Sequence, residues 1–101
     1  MQTYTAVQAA ADLVAYMKQC GTRYYSEWYV GITCDIEDRL FGDHNVNRNT
    51  DAWIWRRTGG DSMAREAESS FHASGCKGSH GGGGSDCVFI YAYRISQTTK
   101  E

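Results

Sequence analysis

Proline is absent from all 101 residues. Nothing therefore locks φ at a turn or removes a donor from inside an element, and uninterrupted helices and strands are expected. An excess of either charge is also lacking. The formal net charge is −2, so any contact with a polyanion must come from a local patch rather than from the whole molecule. No apolar run approaches the length of a membrane span, and Asp12 interrupts the one N-terminal stretch that a secretory signal would use. The four cysteines, Cys20, Cys34, Cys76 and Cys87, include no Cys-x-x-Cys pair. Without an export signal they are expected to be reduced thiols in the cytoplasm. With 42% hydrophobic and 22% charged residues, the composition is that of a soluble folded chain. Its length gives room for one domain over 1–101 and a single core.

What is present reads as alternating helix and strand. "TAVQAAADLVAYMKQCG" predicts a helix over about 5–20, with Thr5 and Gln8 as a capping box and Gly21 as the stop. "EWYVGIT" predicts a strand, and "DIEDRLF" a short helix with an acidic first turn that ends at Gly42. "DAWIWRRT" alternates Trp53, Trp55 and Arg57 against Ala52, Ile54 and Arg56, the pattern of a strand with two different faces. "GGDSMAREAESSFHASG" returns to helical spacing, capped by Asp61 or Ser62, with Met63, Ala67 and Phe71 as its apolar stripe. A glycine-rich loop over 78–85, expected to be mobile, precedes a last strand in "CVFIYAYRI". The fold class is thus α/β of the α+β kind, in the order α-β-α-β-α-β. It is a small, mainly antiparallel sheet of three strands flanked by helices, with the chain-terminal strand suited to a sheet edge.

Tyr29-Val30-Gly31, then Arg39 ten residues after the tyrosine, then His44, resembles the second half of the GIY-YIG nuclease signature. "AREAE" resembles that family's metal-binding helix. The resemblance covers roughly Trp28 to Gly75 and implies a metal-dependent endonuclease that hydrolyses nucleic-acid phosphodiester bonds. Tyr29 would contact the nucleophilic water or the phosphate, and Arg39 would clamp the phosphate. Glu68 would hold one Mg²⁺ or Mn²⁺ ion, with His44 on the helix side. These residue types suit the chemistry. A guanidinium matches two phosphate oxygens, a phenol relays a proton, and one hard carboxylate holds a hydrated Mg²⁺.

The family's first tyrosine motif is not in its usual place. Either Tyr24 or Tyr25 stands in for it, or, as we prefer, the C-terminal "YAYRI" lies beside Tyr29 and Tyr93 or Tyr91 supplies the second phenol. His44 also follows Arg39 by five residues where the family has four.

Each residue has a structural reading as well. Arg39 has Asp35 and Asp38 as helix partners, and Glu68, at the flank of the apolar stripe, has Arg56 or Arg57. Arg56 and Arg57, interleaved with tryptophans, suit nucleic-acid contact. His72, Cys76, His80 and Cys87 match no standard zinc spacing, and the glycine run lacks the Lys-Ser/Thr of a phosphate loop. The expected partner is nucleic acid, DNA in the first place, with a protein partner for targeting and no membrane. The alternative is a catalytically weak or inactive domain on the same scaffold that binds nucleic acid or a protein.

Overall fold

Thr5 opens the first helix by reciprocal bonding. Its amide donates to Gln8 Oε1 and the Gln8 amide donates to Thr5 Oγ1, both at 3.1 Å, so two donors at the helix start are satisfied at once. In the computed structural model, which describes residues 3–78 and 87–101, this helix, α1, spans Ala6–Gln19. Its Ala6, Ala9, Leu13 and Met17 are buried. Gly21, at φ +73°, supplies the left-handed turn that ends it.

Strands β1 (Trp28–Thr33), β2 (Trp53–Arg57) and β3 (Phe89–Arg94) form one sheet in the order β1-β3-β2, with both pairings antiparallel. Helix α2 (Asp61–Ser74) packs with α1 on one face of it. The expected class is therefore the observed one: a three-stranded antiparallel sheet flanked by helices. Trp28, Val30, Ile32, Ile90 and Ala92 meet the two helices, while Tyr29, Tyr91 and Tyr93 form a second cluster on the opposite face with Leu40 and Val46. The Trp28 indole finds its partner at Thr22 Oγ1, 2.7 Å away, so its burial leaves no donor unpaired.

Several expectations are corrected. The last strand is not at the edge. It lies in the middle, pairing Tyr93 with Tyr29 on one side and with Trp53 on the other. The short helix is a π-helix over Glu37–Asp43, running through Gly42, and its wider turn carries the His44 amide to the Arg39 carbonyl at 3.0 Å. Helix α2 starts from Gly60 with no side-chain cap. Its buried stripe is Ala64, Ala67, Glu68 and Phe71, whereas Met63 is exposed, so the core lies one residue further round than i+4 counting from Met63 indicates. Lys77, placed in the loop by its neighbours, instead bridges to the outer edge of β1. The Val30 amide donates to its carbonyl and its own amide donates to the Trp28 carbonyl. The mobile loop expected over 78–85 falls, beyond Gly78, outside the described residues.

The thiols are not all reduced. Cys34 and Cys87 form a disulfide, and Cys20 and Cys76 are free. Thr33 and Phe89 are the terminal pair of the β1–β3 ladder, so it brings together Cys34, one residue after Thr33, and Cys87, two residues before Phe89. The pairing also removes Cys87 from any zinc set. A cross-link between residues separated by 53 positions restricts the unfolded chain, an effect on the order of 4 kcal/mol in the loop-entropy account. Urea unfolding followed with and without dithiothreitol is expected to show a stability loss of about that size on reduction, and Cys34→Ser with Cys87→Ser should match the reduced protein.

Candidate active site

Because Tyr29 and Tyr93 are opposite each other in the ladder, their rings stack, 5.2 Å apart and 17° from parallel. Tyr91 faces Gly31 across the same pairing, and its ring lies over the glycine. A Cβ at Gly31 would stand 2.6 Å from the Tyr91 hydroxyl, so only glycine admits the phenol there. The sequence pattern Tyr-Val-Gly thus has a structural reason for its glycine.

His44 sits between these phenols. Its Nδ1 is 2.6 Å from the Lys100 carbonyl, which accepts only, so Nδ1 carries the hydrogen. Nε2 is then the acceptor for the Tyr91 hydroxyl at 2.8 Å. Tyr93 donates to the same Lys100 carbonyl at 3.1 Å, and the Lys100 amide donates back to the His44 carbonyl at 2.7 Å. Both phenols and the imidazole are buried with their polar atoms partnered. Burial is the main force holding the His44 pKa below its usual value, and the Arg39 charge adds to it; the Lys100 contact works the other way. Burial likewise pushes the phenols of Tyr91 and Tyr93 well above the ordinary range, with Tyr29 next in effect. At Tyr91 the Arg39 charge opposes the shift and the Glu68 charge adds to it.

An open hollow of about 390 Å³ lies in front of this cluster, walled by Tyr29, Arg39, Asp43, His44, Lys77 and Glu101, with Gly78 at its rim. Arg39 is shared with a second depression on its other side, reaching to Asp35, Asp38 and the disulfide. The arginine is 45% exposed and bonded to Asp43 at 3.5 Å, not to Asp35 or Asp38 as the spacing suggested.

Of the residues expected at the site, Tyr29, Arg39 and His44 therefore share one hollow. Tyr93 stands behind His44, fully buried, as a positioning group. Glu68 does not line the hollow; it is buried on α2, and its charge is felt at Tyr91. Arg56 is on the far side of the sheet, paired with Asp12 at 2.9 Å, and Arg57 is exposed at the end of β2. Sequence reasoning missed Lys77 and Glu101, which no local pattern marks.

The implied metal can be tested against these donors. Among the described residues no three His, Cys, Asp or Glu side chains gather as a metal-holding group. Glu68 offers the hard oxygen that Mg²⁺ takes, a single donor for an ion that keeps most of its water shell, and it is set apart from the hollow.

Comparison with protein-family models, with curated proteins and with solved structures found no match for this chain.

Two outcomes follow from the geometry. His44 is buried neutral with a folded pKa below 6.5, so its network stabilises fully above that pH, and the contribution is lost as pH falls from 6.5 through the depressed folded value. Thermal melts across this range should show the wild type losing stability on acidification more steeply than His44→Gln, the difference isolating the imidazole from the carboxylates. Gly31→Ala must displace the Tyr91 ring and is expected to cost about 1–3 kcal/mol by urea unfolding, as overpacked cores do.

Proposed function

We propose that the chain is a GIY-YIG-like endonuclease that hydrolyses nucleic-acid phosphodiester bonds with the help of Mg²⁺ or Mn²⁺. The observation that carries this reading is the convergence of Tyr29, Arg39 and His44 on one hollow from two separate elements, with Tyr91 bonded to His44 behind them. The π-helix adds support. An i to i+5 bond from Arg39 to His44 brings the histidine round beside the arginine despite the extra residue between them.

In this reading Arg39 leaves Asp43 to bind two oxygens of the phosphate through its planar fork. Tyr29 directs its phenol at the same phosphate or at the attacking water. His44 is held in one tautomer by Lys100 and Tyr91, and its ring packs on Tyr29 with centroids 4.6 Å apart, fixing the phenol's direction. Glu68 is the residue that would hold the metal, which when bound would neutralise phosphate charge and make its water more acidic. Lys77, which lines the same hollow, offers a second cation. DNA is the expected substrate, and the expected cytoplasmic location belongs to this same reading; among the described residues no helix is long and apolar enough to cross a membrane.

One observation favours a second reading, a domain of this architecture that binds nucleic acid or a protein partner without cutting. Arg39 and Lys77 line the hollow together with Asp43 and Glu101, so its charges nearly cancel. Incubation with branched, nicked and linear DNA plus Mg²⁺ or Mn²⁺ separates the two. Cleavage by the wild type, reduced by about 100-fold or more in Arg39→Ala and Glu68→Gln, is the expected result. Binding with no product from any substrate would establish the second reading, and product persisting in both variants would assign the cutting to a contaminant.

A further inference from the structure

The last turns of α1 and the segment leading into β1 enclose a pocket of about 160 Å³. Val14 and Met17 supply its apolar surface, Tyr25 flanks it with a ring that is 37% exposed, and Lys18, Thr22 and Arg23 complete the lining. The space is close to the roughly 150 Å³ that takes one benzene ring.

The uncharged polar groups around this pocket are already used. The Met17 carbonyl accepts from the Cys20 amide at 3.1 Å, the Thr22 amide at 3.2 Å and the Thr22 hydroxyl at 2.7 Å. Thr22 Oγ1 in turn accepts from the Trp28 indole at 2.7 Å, and the Lys18 carbonyl accepts from the Gly21 amide at 3.1 Å. Glu27, the carboxylate nearest to Arg23 in the chain, does not line the pocket; it accepts from Arg94 Nη2 and from the Arg23 and Tyr24 amides. What stays open is cationic. No carboxylate lines the pocket, and neither Lys18 nor Arg23 has an ion-pair partner among the described residues. Two open cations beside an apolar surface and an exposed ring suit a flat ring that carries an anion. The ring stacks on the tyrosine and covers the apolar surface, and the anion takes the charge-assisted bonds.

We propose that this pocket binds one pyrimidine nucleotide, its base against Tyr25 and its phosphate between Lys18 and Arg23. The inference rests on the nucleic-acid reading above for its ligand class and deepens it: the nucleotide belongs to the substrate strand, a short way from the bond at the Tyr29 hollow. The chain itself bounds that distance. Tyr25 precedes Tyr29 by four residues, so their Cα atoms are at most about 14 Å apart. That is on the order of four stacked nucleotide steps of about 3.4 Å. The end of α2 links the two places. A Cβ at Gly75 would stand 3.8 Å from the Tyr25 Cβ, and Lys77, two residues on, lines the hollow. The fused rings of a purine exceed the space that one ring fills.

The test measures binding apart from cutting. Backbone amide NMR on the full chain in EDTA follows a titration with thymidine 5′-monophosphate, against thymidine, deoxyadenosine 5′-monophosphate and benzoate. The amides of residues 22–25 are expected to shift with the thymidine nucleotide, and each comparison compound should bind about tenfold more weakly. Arg23→Ala and Tyr25→Ala should each weaken the nucleotide about tenfold. An oligothymidine of about twelve nucleotides should shift the same amides. Arg23 is exposed, so its variant keeps the test valid if Tyr25→Ala fails to fold by circular dichroism. Equal affinity for any comparison compound, affinity unchanged in Arg23→Ala, or shifts with the mononucleotide but not with the strand would each overturn the proposal. Shifts at 22–25 without cleavage of any DNA remove the hydrolytic reading and leave the pocket; cleavage lost in Arg39→Ala with no shift at 22–25 does the reverse.

Discussion

The burial of β3 on both faces is the constraint from which the rest follows. A strand flanked by β1 and β2 has no free edge, and with helices over one face and the π-helix cluster over the other it has no free face. Ile90 and Ala92 meet the helical side without cost. Tyr91 and Tyr93 bring two hydroxyls into the other side, and buried hydroxyls must find partners. His44 and the Lys100 carbonyl supply them, so the histidine's position, its tautomer and its neutral state are consequences of where two phenols were buried. The chain after β3 is drawn in by the same need. Lys100 binds His44 through both its amide and its carbonyl, and Asn45 holds the Thr98 carbonyl.

Local features of the structure were legible in the sequence. The Thr5 capping box, the aromatic and β-branched runs of β1 and β3, and the alternation of β2 each act within a few residues, and each forms where its pattern places it. The pairing of the C-terminal strand with β1 followed from asking which partner Tyr29 lacked. Features decided at long range were not legible. The disulfide joins cysteines with no sequence motif, because the β1–β3 ladder, not spacing, brings them together. Glu68 enters the buried stripe because α2 is rotated about one position from the register that Met63 suggests. Lys77 looks like loop, yet the outer edge of β1 had unpaired groups for it to meet.

The π-helix joins the two scales. Seven residues with i to i+5 bonding form a wider turn than an α-helix allows, a conformation disfavoured except where tertiary contacts hold it. Here Leu40 is fully buried against the tyrosines, and the residues after the helix dock by the Val46 amide to the Leu40 carbonyl. An α-helical turn would rotate His44 away from Tyr91. The five-residue spacing from Arg39 to His44, an irregularity in the sequence, becomes in three dimensions the means by which a guanidinium and an imidazole reach the same hollow.

Charge balance limits what the hollow can do by itself. The hollow at Tyr29 sets two cations against two carboxylates, and the Arg39–Asp43 pair, half-exposed, is weak enough to exchange for a phosphate. A nearly neutral hollow cannot gather a polyanion by its field; it can only orient one already present.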